Sequence, residues 1–217
     1  MQTIRLAPCS PSTLLESICS KSARLPSSTT NRLLHTLTFC LLIASSVWLS
    51  TAQAQLAVGS KAPNFKAPAA LAGVEFEFDL QAALDKGPAV VYFYPKAFTS
   101  GCTIEAQLFA QAMDDFKALN TTVIGISGDN IETLQKFSEG PCGGKFAVAA
   151  DTDGEIIKAY DAGFAIIPGM ADRISYAVAP NGTIIETYES MSPHQHVAQT
   201  LAAVRAWHAS QTPDAAK

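Results

Sequence analysis

The chain has 217 residues, 48% hydrophobic and 16% charged, which fits a globular protein with ample core and the length of one domain plus a leader. Residues 1–54 carry four basic side chains (Arg5, Lys21, Arg24, Arg32) and one acid (Glu16), so residues 55–217 hold 11 basic and 18 acidic groups, a net of −7. An acidic domain without a basic stripe excludes nucleic acid and an anionic membrane as natural partners.

Leu37 to Leu49 is an apolar run preceded by Arg32 and His35 and followed by Ala52-Gln53-Ala54, a small-x-small cleavage signature. That pattern predicts a secretory signal peptide cleaved after Ala54, leaving a mature domain of residues 55–217. The alternative is an uncleaved anchor, for which the run is short. The segment before the run is long, Ser-rich and almost free of acids. This leaves two destinations open, a bacterial periplasm first and an organelle lumen second. Cleavage removes Cys9, Cys19 and Cys40, so only Cys102 and Cys142 remain. Two cysteines in an exported domain suggest a pair. It is either a static disulfide closing a loop of about 40 residues, worth roughly 4 kcal/mol of chain entropy, or a redox pair that forms and breaks. Loop-like and helix-start neighbours at both positions favour the redox pair.

Val58 to Phe65 reads as an entry segment, with Pro63 and Pro68 keeping the chain extended or turned. Val74-Glu75-Phe76-Glu77-Phe78 alternates with period two, the pattern of a half-exposed strand. Leu80 to Asp85 predicts a short helix, broken by Lys86-Gly87-Pro88. Val90 to Tyr94 is a continuous apolar run rich in β-branched and aromatic residues, a buried strand stopped by Pro95, which has no ladder donor. Thr103 to Leu119 predicts a helix with Leu108, Phe109, Ala112, Met113 and Phe116 on one face. Thr122 to Ser127 is another buried strand, and Asp129 or Asn130 can cap the helix that runs through Phe137. Gly140-Pro141-Cys142-Gly143-Gly144 predicts a flexible loop.

Phe146 to Ala150 follows as a strand and Asp151 to Tyr160 as a short helix. Ile174–Val178 and Thr183–Tyr188, joined through Pro180-Asn181-Gly182, form a β-hairpin signal. His196 to His208 closes the domain as an amphipathic helix with Val197, Leu201, Val204 and Trp207 inward, and Thr212 to Lys217 is a tail. The order β-α-β-α-β-β-α after extra N-terminal strands predicts a thioredoxin-like three-layer α/β/α sandwich.

The chemistry concentrates on Cys102, placed by this reading in the first turn of a helix directly above the end of a central strand. Unpaired amides and the helix dipole there favour a negative charge, and the thiolate is the nucleophilic form. Thr99 brings a hydroxyl near that sulfur. A Cys-x-x-Cys pair is absent, because Cys102 is followed by Thr103-Ile104-Glu105. His194 and His196 stand two apart near a helix start, point apart, and lack acidic or thiol company, so no metal is expected. No glycine-rich loop suits a phosphate, and no cofactor is implied.

The arrangement Pro95-x-x-x-Thr99-x-x-Cys102 resembles that of the peroxiredoxins. Tyr94-Pro95-Lys96-Ala97-Phe98-Thr99-x-Gly101-Cys102-Thr103-x-Glu105 is similar to the subgroup named for bacterioferritin-comigratory protein, also called Q-type. Gly125-Ile126-Ser127-x-Asp129, Lys145-Phe146-x-Val148-Ala149-x-Asp151 and Arg173 match further on. The resemblance runs from about Val58 to Trp207.

It implies a thiol peroxidase in which the Cys102 thiolate attacks hydrogen peroxide or an alkyl hydroperoxide and becomes a sulfenic acid. Arg173 would hold the thiolate and stabilise charge along the S–O–O axis. Thr99 would hydrogen-bond sulfur and peroxide, Pro95 would shield the site from water, and Glu105 would orient Arg173.

Two departures stand out: Gln107 occupies a frequent resolving-cysteine position, and Ser100 replaces a frequent proline. Cys142 is then the candidate resolving cysteine, with a thioredoxin-like donor recycling the disulfide. A one-cysteine cycle using a low-molecular-weight thiol is a second reading, and a non-enzymatic binding module with a structural disulfide is a third. Monomer and homodimer both remain open.

Overall fold

The computed structural model describes residues 55–211, so the leader, its cleavage point and the tail beyond Gln211 lie outside the described residues. In chain order the elements are β1 (Lys66–Leu71), β2 (Val74–Asp79), α1 (Leu80–Leu84), β3 (Ala89–Phe93), α2 (Ser100–Ala118) and β4 (Thr122–Ser127). There follow α3 (Ile131–Glu139), β5 (Ala147–Ala150), α4 (Glu155–Ala159), β6 (Ile174–Val178), β7 (Ile184–Glu189) and α5 (His196–Gln211). The strands form one sheet in the order β2-β1-β5-β4-β3-β6-β7. β3, β4 and β5 run parallel, while β1, β2, β6 and β7 are added antiparallel at the two sides.

The parallel centre follows from the sequence. Parallel neighbours need a crossover long enough for a helix, which α2 and α3 supply, and helices then cover both faces. Every residue of β3 and β5 is buried as a result. Side-chain alternation splits the core in two. Val91, Phe93, Ile124 and Ile126 pack with Leu80, Leu84 and Ile157 of α1 and α4 on one face. Val90, Tyr92 and Val123 pack with Phe109, Phe116, Phe137, Leu201 and Val204 of α2, α3 and α5 on the other. The register places Tyr92 opposite Gly125. A Cβ there would lie 2.6 Å from the Tyr92 ring, so only glycine lets the ring lie across β4 and stack on Phe109 at 4.4 Å.

Three segments differ from expectation. A strand that the sequence reading did not expect, β1, follows the entry segment and pairs with β5 only at Ala69 and Ala70. Pro68 lies outside that short pairing, which is how a proline fits within the strand. β2 is an edge strand and more exposed than its alternation implies: Val74 and Phe76 are both accessible and only Phe78 enters the core. The Gly140–Gly144 segment is a set of tied turns rather than a loose loop. Cys142 N–H donates to Phe137 O at 3.2 Å and Gly144 N–H to Ser138 O at 2.8 Å.

Candidate active site

β3 ends under the start of α2, and β6 runs antiparallel beside β3 with Ile174 opposite Phe93. The residue entering β6, Arg173, therefore arrives at the place where the chain leaves β3 and turns into α2. Positions 71 residues apart converge for that reason.

The turn into α2 is held from β4. Asp129 accepts from Ala97 N–H at 2.7 Å and from the Ser127 hydroxyl at 3.0 Å. This pins the loop after Pro95 and gives the Ser127-x-Asp129 motif a structural meaning. Asp151 has a comparable task, accepting from Ile156 and Ile157 N–H at 3.1 and 2.7 Å to start α4. Phe98 adopts φ of 64°, an unfavourable backbone region for a side chain of its size, and its ring packs edge-on against Phe137 at 5.2 Å.

Helix α2 begins at Ser100 with Thr99 as its N-cap residue, three residues earlier than its apolar periodicity indicated. Cys102 thus sits in the first turn, buried, beside unpaired helix amides. Arg173 Nη2 donates to Cys102 Sγ at 3.3 Å, and the guanidinium is itself almost wholly buried. Gly101 makes the approach possible, since a Cβ there would lie 3.0 Å from Nη2. Arg173 Nη1 bonds Glu105 Oε2, one turn along α2, and Nε donates to Met191 O at 3.1 Å. Ser190 N–H closes on Arg173 O at 3.2 Å, so the segment after β7 clamps the arginine from behind.

The other predicted residues are placed less centrally. Thr99 donates its hydroxyl to Lys96 O at 2.9 Å, and its exposed side chain leaves oxygen lone pairs free to accept. Pro95 is half-buried on the loop between β3 and α2. Cys142 lies wholly inside the core on the same sheet face as Cys102, in a cluster that includes Tyr92, Tyr94, Phe137 and Phe146. Its burial corrects the reading of its neighbours as loop-like. Both cysteines are free thiols. Burial pushes the Cys142 thiol far above its ordinary ionisation. Burial also raises the Tyr92 hydroxyl.

The sequence missed His196. Its ring is fully buried: Nδ1 lies 2.8 Å from the Ser175 hydroxyl and Nε2 lies 2.8 Å from Ser190 O. Glu105 Oε1 stands 3.6 Å from Nδ1. A usable signal existed, because His196, Thr200 and Val204 recur every four residues on the face that α5 buries. His194, by contrast, is exposed.

A buried thiol held at a helix start by a buried arginine, on a thioredoxin-like sheet, defines a protein built for cysteine chemistry. The description "AhpC/TSA family" matches residues 58–187, and the chain belongs to that family. It is 30% identical over 115 residues to the chloroplastic peroxiredoxin Q of Sedum lineare, spanning 52% of this chain and 61% of that one. It is 28% identical over 129 residues to peroxiredoxin Bcp of Xanthomonas campestris pv. campestris, spanning 56% of this chain and 78% of that one. The crystal structure of peroxidoxin BcpB from Mycobacterium tuberculosis superposes with a TM-score of 0.63 at 25% identity, covering 69% of this chain and 96% of that one. The motif-based resemblance to the bacterioferritin-comigratory, Q-type subgroup is borne out.

Proposed function

We propose that this chain is a thiol-dependent peroxidase that reduces hydrogen peroxide and alkyl hydroperoxides at Cys102. The observation that carries the reading is the 3.3 Å contact from Arg173 Nη2 to Cys102 Sγ in the first turn of α2. A guanidinium is permanently charged, so it favours the thiolate and the negative charge that spreads onto oxygen in the transition state. The thiolate attacks the terminal peroxide oxygen; an S–O bond forms as the O–O bond breaks. Sulfur is oxidised by two electrons, and the departing hydroxide or alkoxide takes a proton to leave as water or alcohol. Thr99 supplies a hydroxyl that turns from Lys96 O toward the peroxide, Pro95 limits water, and Glu105 aims Arg173.

The sulfenic acid is then attacked by Cys142, expelling water and forming a Cys102–Cys142 disulfide that a thioredoxin-like dithiol reduces. Disulfide geometry needs Cα atoms within about 7 Å, so the turns around Cys142 and the end of α3 open for this step. The depth of Cys142 favours a second reading, in which a small external thiol resolves Cys102 and Cys142 serves the core. The leader supports export, to a periplasm or an organelle lumen; a relative's name, "chloroplastic", lends weight to the organelle.

Intact mass after one equivalent of hydrogen peroxide tests these readings together. Loss of two hydrogens in the wild type, with a trapped sulfenic acid in Cys142→Ser, supports the two-cysteine cycle. Gain of oxygen in both supports the external thiol, and no change in reduced protein overturns the peroxidase reading.

A further inference from the structure

Behind the Cys102–Arg173 contact lies a polar cluster of which the proposed reaction uses only the bond from Arg173 to Glu105. Glu105 is fully buried, and of its two oxygens only Oε2 has a donor, Arg173. Among the described residues Oε1 has no hydrogen-bond partner, and His196 Nδ1 stands 3.6 Å from it.

The histidine's tautomer follows from its contacts. Nε2 faces the Ser190 carbonyl, which can only accept, so Nε2 carries a proton. In a neutral ring Nδ1 then bears a lone pair, which accepts from the Ser175 hydroxyl at 2.8 Å, and Glu105 Oε1 stands 3.6 Å from it with no N–H to meet. A carboxylate oxygen facing that lone pair would be a buried negative charge opposite a second acceptor, with no donor between them. Such an arrangement costs a large fraction of a domain's net stability. One proton removes the conflict.

We infer that in the reduced protein Glu105 carries a proton on Oε1, beside the unprotonated Nδ1 of His196, so that Glu105 is neutral. This deepens the peroxidase reading and rests on it for its consequence. A neutral Glu105 still accepts from Arg173 through Oε2, so it positions the guanidinium without cancelling its charge, which stays directed at the Cys102 sulfur. His196 is on this argument a positioning residue that acts through Glu105 and Arg173.

The surroundings agree. The charged and titratable groups facing the pair are Cys102 from α2, Arg173 from the start of β6 and Tyr92 of β3, whose buried hydroxyl interacts electrostatically with Glu105; Tyr188 of β7 stacks edge-on with His196 at 4.8 Å. Among the described residues no ion pair joins a second acid to the histidine to hold it as an imidazolium. Burial pushes the Glu105 carboxyl up to about 8, against the pull of Arg173. Burial pushes the His196 ring down to about 4.

Two measurements on the reduced full chain, without peroxide, test the inference. The infrared spectrum at pH 7 is expected to contain a protonated-carboxyl C=O band that is lost on raising the pH through about 8 and is absent in Glu105→Gln. Nitrogen-15 spectra of the wild type are expected to show His196 as the neutral Nε2–H tautomer. His196→Phe, which removes the unprotonated nitrogen that faces Oε1 and disfavours a charge there, should move the loss of the band to lower pH. His196→Asn, whose amide oxygen can take the place of Nδ1, should return it. An imidazolium at His196 at neutral pH, or no carboxyl band that depends on Glu105, would overturn the neutral Glu105. A wild type with both signatures that consumes no hydroperoxide would leave the neutral Glu105 supported and overturn the peroxidase reading instead.

Discussion

Cys102 and Cys142 lie on the same face of one sheet and are almost equally shielded from water, yet their surroundings are opposed. Cys102 has a guanidinium 3.3 Å away and sits in the first turn of α2. Cys142 has an aromatic wall and a thiol that burial holds protonated. Burial by itself therefore says nothing about whether a cysteine is reactive; the charge that accompanies it does. A charge beside a buried sulfur compensates the desolvation of the thiolate, whereas an aromatic pocket leaves that cost in full.

The comparison breaks first at Arg173. Arg173→Met should slow oxidation of Cys102 by about 100- to 1,000-fold, the range seen when a preorganised charge donor is lost, measured by stopped-flow peroxide consumption. Its effect on stability separates two states of Glu105. Leaving a neutral carboxyl unpaired costs about 1–3 kcal/mol, whereas stranding a carboxylate costs about 3–5 kcal/mol; chemical denaturation should return the smaller value.

Differential alkylation is the next test. In the reduced native protein, iodoacetamide should label Cys102 at least about 100-fold faster than Cys142, whose labelling must await local opening of the turns after α3. Peptide mapping reads both rates, and equal rates would mean that the aromatic pocket opens freely. Phe137→Ala, which removes the ring between Tyr94 and Phe98, should speed Cys142 labelling selectively.

A smaller change sharpens the Cys102 side alone. Gly101→Ala brings a methyl group to 3.0 Å from Arg173 Nη2. The guanidinium must shift by a few tenths of an ångström, and the oxidation rate should fall by about 10-fold, less than for outright loss of the charge. The melting temperature should hardly move, because alanine is a better helix former than glycine at that position.

The subtlest effect is on stability against pH. Glu105 has its folded pKa raised to about 8 from roughly 4.3 in an unfolded chain, so its contribution is full below the lower value and is lost as pH rises through about 8. His196 is lowered to about 4 from roughly 6.5, so its contribution is present above the higher value and lost as pH falls through about 4. Between about pH 4.5 and 6.5 the two slopes oppose each other, because one group binds an extra proton in the fold and the other gives one up. Their combined contribution should be nearly flat there and decline from about pH 6.5 to 8, as read by urea denaturation of wild type against the double variant Glu105→Gln/His196→Asn.

Much of this was legible in the chain itself. The β3 run, the periodicity of α2, the Pro180-Asn181-Gly182 turn and the placing of Cys102 in a first turn all depend on neighbours in sequence, where backbone sterics and side-chain period act directly. Asn130 as the N-cap of α3 was equally readable, and its side chain accepts from Thr133 N–H at 3.0 Å. The joint motif of Pro95, Thr99, Cys102, Glu105 and Arg173 pointed to the family before any contact was known.

Other features were decided by assembly. β1 escaped because Pro68 argues against a strand unless the neighbouring strand is too short to reach it, and that shortness belongs to β5. The Gly-Pro-Cys-Gly-Gly segment has the composition of a loose loop in any local reading. Only the packing of α3 against Tyr92 and Phe146 carries its cysteine into the core. His196 looked like an isolated ring because its partners, Glu105, Ser175 and Ser190, come from an earlier helix, a sheet strand and the segment that clamps Arg173. The sequence by itself determined where Cys102 and Pro95 fall, at a helix start and a strand end, since backbone sterics and side-chain period are local properties. Only the tertiary structure decided what surrounds each sulfur, because desolvation and the meeting of Arg173, Glu105 and His196 exist only once distant side chains are buried against one another.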